Sequence, residues 1–100
     1  MNLNITKSTR KNKKYDLLDS NKKYLLSFGH SQYEDYTIHK DPQRQANYLS
    51  RHKKNEDWNK SGIYTAGFWS KHLLWNLPTL TASIRDVNER FNINVKLIQT

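Results

Sequence analysis

The chain has 100 residues, the size of one domain with one compact core, and carries Lys and Arg in such excess that its net charge is +8. It contains no cysteine, which excludes a disulfide framework, a cysteine zinc site and a cysteine nucleophile. No apolar run approaches the roughly 20 residues of a membrane span. The opening Met-Asn-Leu-Asn-Ile is too polar and too short for the apolar core of a secretion signal. The charge balance favours polyanionic partners: nucleic acid, an acidic protein face or anionic lipid.

Residues 1–13 hold Lys7, Arg10, Lys11 and Lys13 among Asn, Ser and Thr, with only Leu3 and Ile5 apolar. That composition predicts a flexible basic arm, leaving residues 14–100 as a single α+β domain. Lys14–Leu18 and Lys23–Phe28 alternate apolar and polar residues around Asp19-Ser20-Asn21-Lys22, a cluster of turn formers. The pattern predicts a β-hairpin whose second strand is broken by Gly29. Tyr33 and Tyr36 share one side of a short helical turn. Asp41-Pro42 starts a helix, with Asp41 as cap and Pro42 at the first position, running to about Asn55. Gln45, Tyr48, Leu49 and His52 form its inner stripe. Arg44, Arg51, Lys53 and Lys54 lie elsewhere on its surface. After a polar loop, Trp58 folds back on the core.

Ser61–Asn76 is the most apolar stretch, holding Tyr64, Phe68, Trp69, Leu73, Leu74 and Trp75. Thr65 is placed to cap a helix there. Asn76 suits its left-handed end, and Pro78 prevents continuation. Gly67 inside this helix predicts the close approach of another element. Thr79 or Thr81 then caps a helix with the stripe Leu80, Ile84, Val87 and Phe91, ended by Asn92. A strand with Ile93, Val95 and Leu97 closes the chain. The expected fold is a small antiparallel sheet, the N-terminal hairpin plus the C-terminal strand, covered by two or three helices. The expected core is Leu17, Leu26, Phe28, Leu49, Phe68, Trp69, Leu73, Leu74, Ile84, Val87, Phe91, Val95 and Leu97.

Catalytic chemistry is not signalled. His30, His39, His52 and His72 contain no pair spaced four apart and no H-E-x-x-H. His39, Asn47 and His52 after a hairpin are distantly similar to the ββα-metal nucleases, but a helix start separates the histidines and no second ligand is evident. Packing is the better account of His52 and His72. The adjacent carboxylates Glu34-Asp35 and Glu56-Asp57 do not face each other on a helix. Ser27, Ser50 and Ser70 lie in no nucleophile elbow. We therefore expect no enzyme, no cofactor and no metal.

The basic clusters carry the stronger signal. Arg44, Arg51, Lys53 and Lys54, reached by Lys11, Lys13 and Lys14 from the arm, are the candidate nucleic-acid-binding residues. The competing account is structural, since a helix C-terminus favours cations through its dipole. No base-reading motif is present, so phosphate contact without sequence specificity is expected. Tyr33 and Tyr36 either stack on bases or fill the seam between sheet and helices.

One constellation is specific as a whole: Phe28-Gly29, Tyr33-Glu34-Asp35-Tyr36-Thr37-Ile38-His39-Lys40-Asp41, Arg44, Tyr48, Arg51-His52-Lys53-Lys54, Trp58, Thr65-Ala66-Gly67-Phe68-Trp69-Ser70 and Leu73-Leu74-Trp75-Asn76. It resembles a family of small uncharacterised basic proteins encoded by large and giant DNA viruses, over residues 14–97. The resemblance implies a viral setting, the virion or the infected-cell cytoplasm, and supplies no catalytic residues. The expected function is that of a non-enzymatic viral accessory protein bound to nucleic acid or another polyanionic surface. The alternative is a minor capsid or cement protein bound to other virion proteins.

Overall fold

Leu3 and Ile5 are 4% and 0% exposed, which places the first residues inside the fold. The structure, a computed structural model, describes residues 1–98. Strand β1 (Asn2–Lys7) pairs antiparallel with β2 (Lys13–Leu18) and parallel with β4 (Asn94–Leu97). The expected arm at 1–13 is thus corrected: half of it is an inner strand of the sheet. The physical reason lies in the alternation Asn2-Leu3-Asn4-Ile5-Thr6, which suits a strand with one covered face. The cations begin only at its end. Beyond Ser8 the chain turns, with Lys13 N–H donating to Arg10 O at 3.2 Å and Asn12 at a φ of 65°. Arg10 is engaged as well, its guanidinium 3.7 Å above the Tyr24 ring.

The hairpin of β2 and β3 (Tyr24–His30) forms as expected, and Asp19 organises its turn. The Asp19 carboxylate accepts the N–H groups of Asn21 and Lys23 at 2.8 and 2.9 Å. Gly29 does not end β3. It sits at a φ of +78°, where the strand continues to His30 in a conformation that L side chains rarely adopt. A Cβ there would meet Leu74 Cδ1 at 2.7 Å. The sheet order is β3-β2-β1-β4. The α+β class stands. The sheet, however, has four strands and is mixed rather than antiparallel, because β1 inserts between the hairpin and β4.

Helix α1 (Tyr36–His39) is capped by Asp35, and α2 (Pro42–His52) by Asp41, which accepts from Gln43 N–H at 2.9 Å. Helix α3 (Ala66–Trp69) is capped by Thr65, whose hydroxyl accepts from Phe68 N–H at 3.3 Å. Gly67 admits the Glu56 carboxylate, which an added Cβ would meet at 2.6 Å. The chain then widens into a π turn, Ser70–Leu74, closed by Trp75 N–H on Ser70 O at 3.1 Å. Asn76 is not the expected left-handed stop. Its amide donates to His72 O at 3.1 Å and to Asp86 Oδ2 at 2.7 Å, tying the π turn to α4 (Leu80–Phe91). Thr79 caps α4, and Asn92 ends it in the left-handed conformation.

The core centres on Phe28, Phe68, Trp69, Leu17, Ile5, Leu73 and Val87, all essentially without solvent contact. Leu26, Ile84 and Phe91 pack against it half-buried. Two expected members differ: Leu49 is only half-buried and Leu97 is 49% exposed. Leu97 shares the face of Ile93 and Val95 by alternation, but it is the last residue of an edge strand and stays exposed there. Leu3, Ile5, Ile63 and Ile93 are core members outside the expected set.

Candidate nucleic-acid interface

The polar stripe of α2 is what attaches that helix to the body. Gln45 Nε2 donates to the carbonyls of Trp75 and Asn76 at 3.1 and 2.7 Å. One turn on, the Tyr48 ring lies parallel to Trp75, at 4.3 Å and 3°. His52 stacks on Tyr48 at 4.2 Å, and His39 packs on Trp75 at 5.2 Å. Four rings thus run in series from α1 to the end of α2. Burial, then the nearby Glu56 charge, pushes the Tyr48 phenol up, so it stays protonated at neutral pH.

Between α2, the end of β3 with residues 31–35, and the π turn lies a cleft of about 650 Å³. Ser70, Leu74 and Trp75 reach it from the π turn, and Asn47, Tyr48, Arg51 and His52 from α2. The wider turn places Ser70 and Leu74 toward the cleft while His72 and Leu73 are buried behind. On the opposite side stand His30 and Tyr33. Tyr33 is 69% exposed, and its ring centroid is 4.8 Å from that of His30.

Each carboxylate in or beside the cleft has a basic side chain against it, and one cation, Arg51, has no such partner among the described residues. Lys14 Nζ meets Asp35 Oδ2 at 2.5 Å, and the lysine side chain is only 12% exposed. Asp35 also accepts from Thr37 N–H at 2.9 Å and from the Thr37 hydroxyl. Arg44 reaches Glu34 at 3.3 Å on the exposed rim. His52 Nδ1 lies 3.5 Å from Glu56 Oε1. Arg51 is exposed, and among the described residues it has no carboxylate within 4.0 Å.

Of the residues expected to bind nucleic acid, the fold brings Lys14, Arg44 and Arg51 to this cleft. Lys53 and Lys54 are exposed just past the end of α2, continuing from Arg51 but outside the cleft lining. Lys11 and Lys13 are exposed on the β1–β2 turn and the start of β2. They therefore do not reach over from an arm, and the ammonium of Lys14 is committed to Asp35. His30, Asn47 and Trp75 were not anticipated at the site. The spacing of His30 and Tyr33 directly after a strand is the one signal that could have paired them.

The nuclease-like trio does not assemble. His39 Nδ1 accepts from Asp41 N–H at 3.0 Å, and the rings of His39 and His52 sit at opposite ends of the aromatic series. Among the described residues no three His, Asp or Glu side chains are grouped so as to hold a metal ion. His72 is buried away from the cleft, with Nε2–H donating to Trp58 O at 2.9 Å.

A family model described as a family of unknown function, DUF5754, matches residues 3–52. The chain belongs to that family. The matched span begins in β1 and ends with α2, so the DUF5754 region supplies the hairpin wall and the cationic helix of the cleft. Its third wall, from Ser70 to Trp75, lies beyond the match. No curated protein and no solved structure matches the chain.

Proposed function

We propose that this DUF5754 chain is a non-enzymatic viral accessory protein that binds nucleic-acid phosphates without sequence preference. The observation that carries the proposal is the end of α2. Arg51, Lys53 and Lys54 are all exposed there, and among the described residues none lies within 4.0 Å of a carboxylate. Three free cations within one turn cost electrostatic self-repulsion that a helix dipole offsets by only about 0.3–1 kcal/mol each. A polyanion relieves it. The viral setting is supported by the resemblance of residues 14–97, and a binding role over catalysis by the pairing of Asp35, Glu34 and Glu56 with Lys14, Arg44 and His52. Phosphate contacts position a protein and do not read bases, hence the weak sequence preference.

The test is a salt titration of duplex binding by the parent and by the triple variant Arg51→Ala, Lys53→Ala, Lys54→Ala. Each phosphate contact contributes a slope of about −0.9 for duplex DNA, so the variant should flatten the dependence by roughly two to three units. Its melting temperature should stay near that of the parent, because all three side chains are exposed. Identical slopes would remove this face from the interface. No binding by the parent at low salt would reject the nucleic-acid role and put the capsid or cement role forward.

A further inference from the structure

The cleft beside Arg51 differs from a plain phosphate-binding surface. Such a surface needs cations only, whereas this cleft is lined by a free guanidinium from α2 and, across from it, by an exposed aromatic ring. We infer that the cleft takes a single unstacked nucleotide of a single-stranded nucleic acid, the base on Tyr33 and its phosphate on Arg51. This rests on the phosphate-binding reading of α2 and goes beyond it, because it assigns the form of nucleic acid and the residue that grips a base.

Three observations support the assignment. The volume of about 650 Å³ falls within the range of roughly 300–1,000 Å³ usual for small-molecule sites. The Tyr33 ring is 69% exposed yet in contact with the His30 ring, whose centroid lies 4.8 Å away at a tilt of 51°, so it is held on one side while much of the ring stays open. Every base has a π-face, so stacking on such a ring needs no particular sequence. Finally, the local charges fit a phosphate. Lys14 and Asp35 cancel, which leaves Arg51 as the free cation of the cleft among the described residues. The Arg44–Glu34 pair is solvent-exposed and therefore weakly held, so Arg44 can turn to the next phosphate. A duplex keeps its bases paired and stacked. It can offer phosphates to Arg51, Lys53 and Lys54 but nothing to Tyr33.

The experiment measures fluorescence anisotropy of a labelled short oligothymidine and of a labelled duplex of equal length. Parent, Tyr33→Ala and Tyr33→Trp chains are compared at one salt concentration, with unlabelled thymidine monophosphate as a competitor. The parent should bind the single strand more tightly than the duplex. Tyr33→Ala should lose roughly 5- to 100-fold of single-strand affinity, the usual worth of one stacked base, while its duplex affinity stays the same. Tyr33→Trp should keep the single-strand affinity, since the indole also stacks. Tyr33 is largely exposed, so both variants should fold, and matching melting curves check this. Equal loss on both nucleic acids, or no loss on either, would overturn the base site while leaving phosphate binding by α2 intact. No binding of either nucleic acid by the parent would overturn both. Displacement by thymidine monophosphate at micromolar concentration would overturn the strand and make the occupant a free nucleotide.

Discussion

Lys14 and Asp35 lie 21 residues apart in sequence and meet at 2.5 Å, joining β2 to the cap of α1 in the lining of the cleft. Both side chains are nearly enclosed, so neither charge can fall back on water. Replacing Lys14 by Met strands the carboxylate, and losses of about 3–5 kcal/mol are usual when one partner of a buried pair is removed. Adding Asp35→Leu should restore most of that loss except the helix cap, worth about 1 kcal/mol. Urea unfolding of the two variants checks this. A single variant as stable as the parent would show that the pair is wet and weak.

Stability should also respond to acid through His72. Its Nε2–H is committed to the Trp58 carbonyl, and among the described residues the buried Nδ1 has no partner. Burial pushes its pKa down to about 4, with Lys71 and Arg90 adding to the effect and the Trp58 carbonyl opposing it. In the unfolded chain the ring titrates near its ordinary value of 6.5. Between those values the unfolded state binds more protons, so stability falls as pH drops from about 6.5 towards 4 and levels off below. The full effect of this one group is on the order of 3 kcal/mol. A His72→Gln variant should show a flatter dependence over that window in denaturant titrations. An unchanged slope would mean that other groups cause it.

Trp69 sits at the centre of the core with no exposure, and its indole N–H donates to Ile63 O at 2.6 Å. Truncation to Ala should cost about 3–5 kcal/mol, a large part of the stability of a domain this size. Calorimetry would register a drop of many degrees. A melting point within a few degrees of the parent would mean that the surroundings collapse into the space.

The edge of the sheet offers a finer test. Asn88 on α4 turns its amide to β4, accepting from Val95 N–H at 2.8 Å and donating to Val95 O at 3.1 Å. One side chain thereby satisfies two backbone groups that a further strand would otherwise satisfy. Asn88→Ala should cost about 1–3 kcal/mol by leaving them unpaired. It should also raise the tendency to self-associate, which sedimentation velocity would detect. Asn88→Asp keeps the acceptor and sets a carboxylate against a carbonyl, so it should be no better than Ala.

The elements with local punctuation were legible in the sequence. Asp41 and Thr65 cap the helices they were expected to cap, Thr79 of the two candidate threonines caps α4, Asn92 ends it, and Asp19 makes the hairpin turn. β1 was not legible, because four cations between residues 7 and 13 outweigh two apolar side chains in any reading of composition. Only the alternation of Leu3 and Ile5 with Asn and Thr marks it, and that pattern becomes decisive once β2 and β4 flank it. The cationic end of α2 was legible from spacing. The cleft was not, since its walls come from residues 14, 30–35, 44–52 and 70–75, and only the π turn brings the last group round to face the others.

The position of β1 has a consequence for how the chain reaches its native state. Its two neighbours are β2, a few residues away, and β4, where Asn2 meets Asn94 across a separation of 92 residues. During synthesis the hairpin side can zip early, but the other flank of β1 stays bare until residues 94–97 have emerged. Leu3 and Ile5 cannot be fully sealed in that interval. Contacts so distant in sequence slow folding, and an unpaired flank invites pairing with another nascent copy. Holding the chain in a chaperone-protected state until β4 arrives should therefore raise the yield of monomer more than any change to the helices.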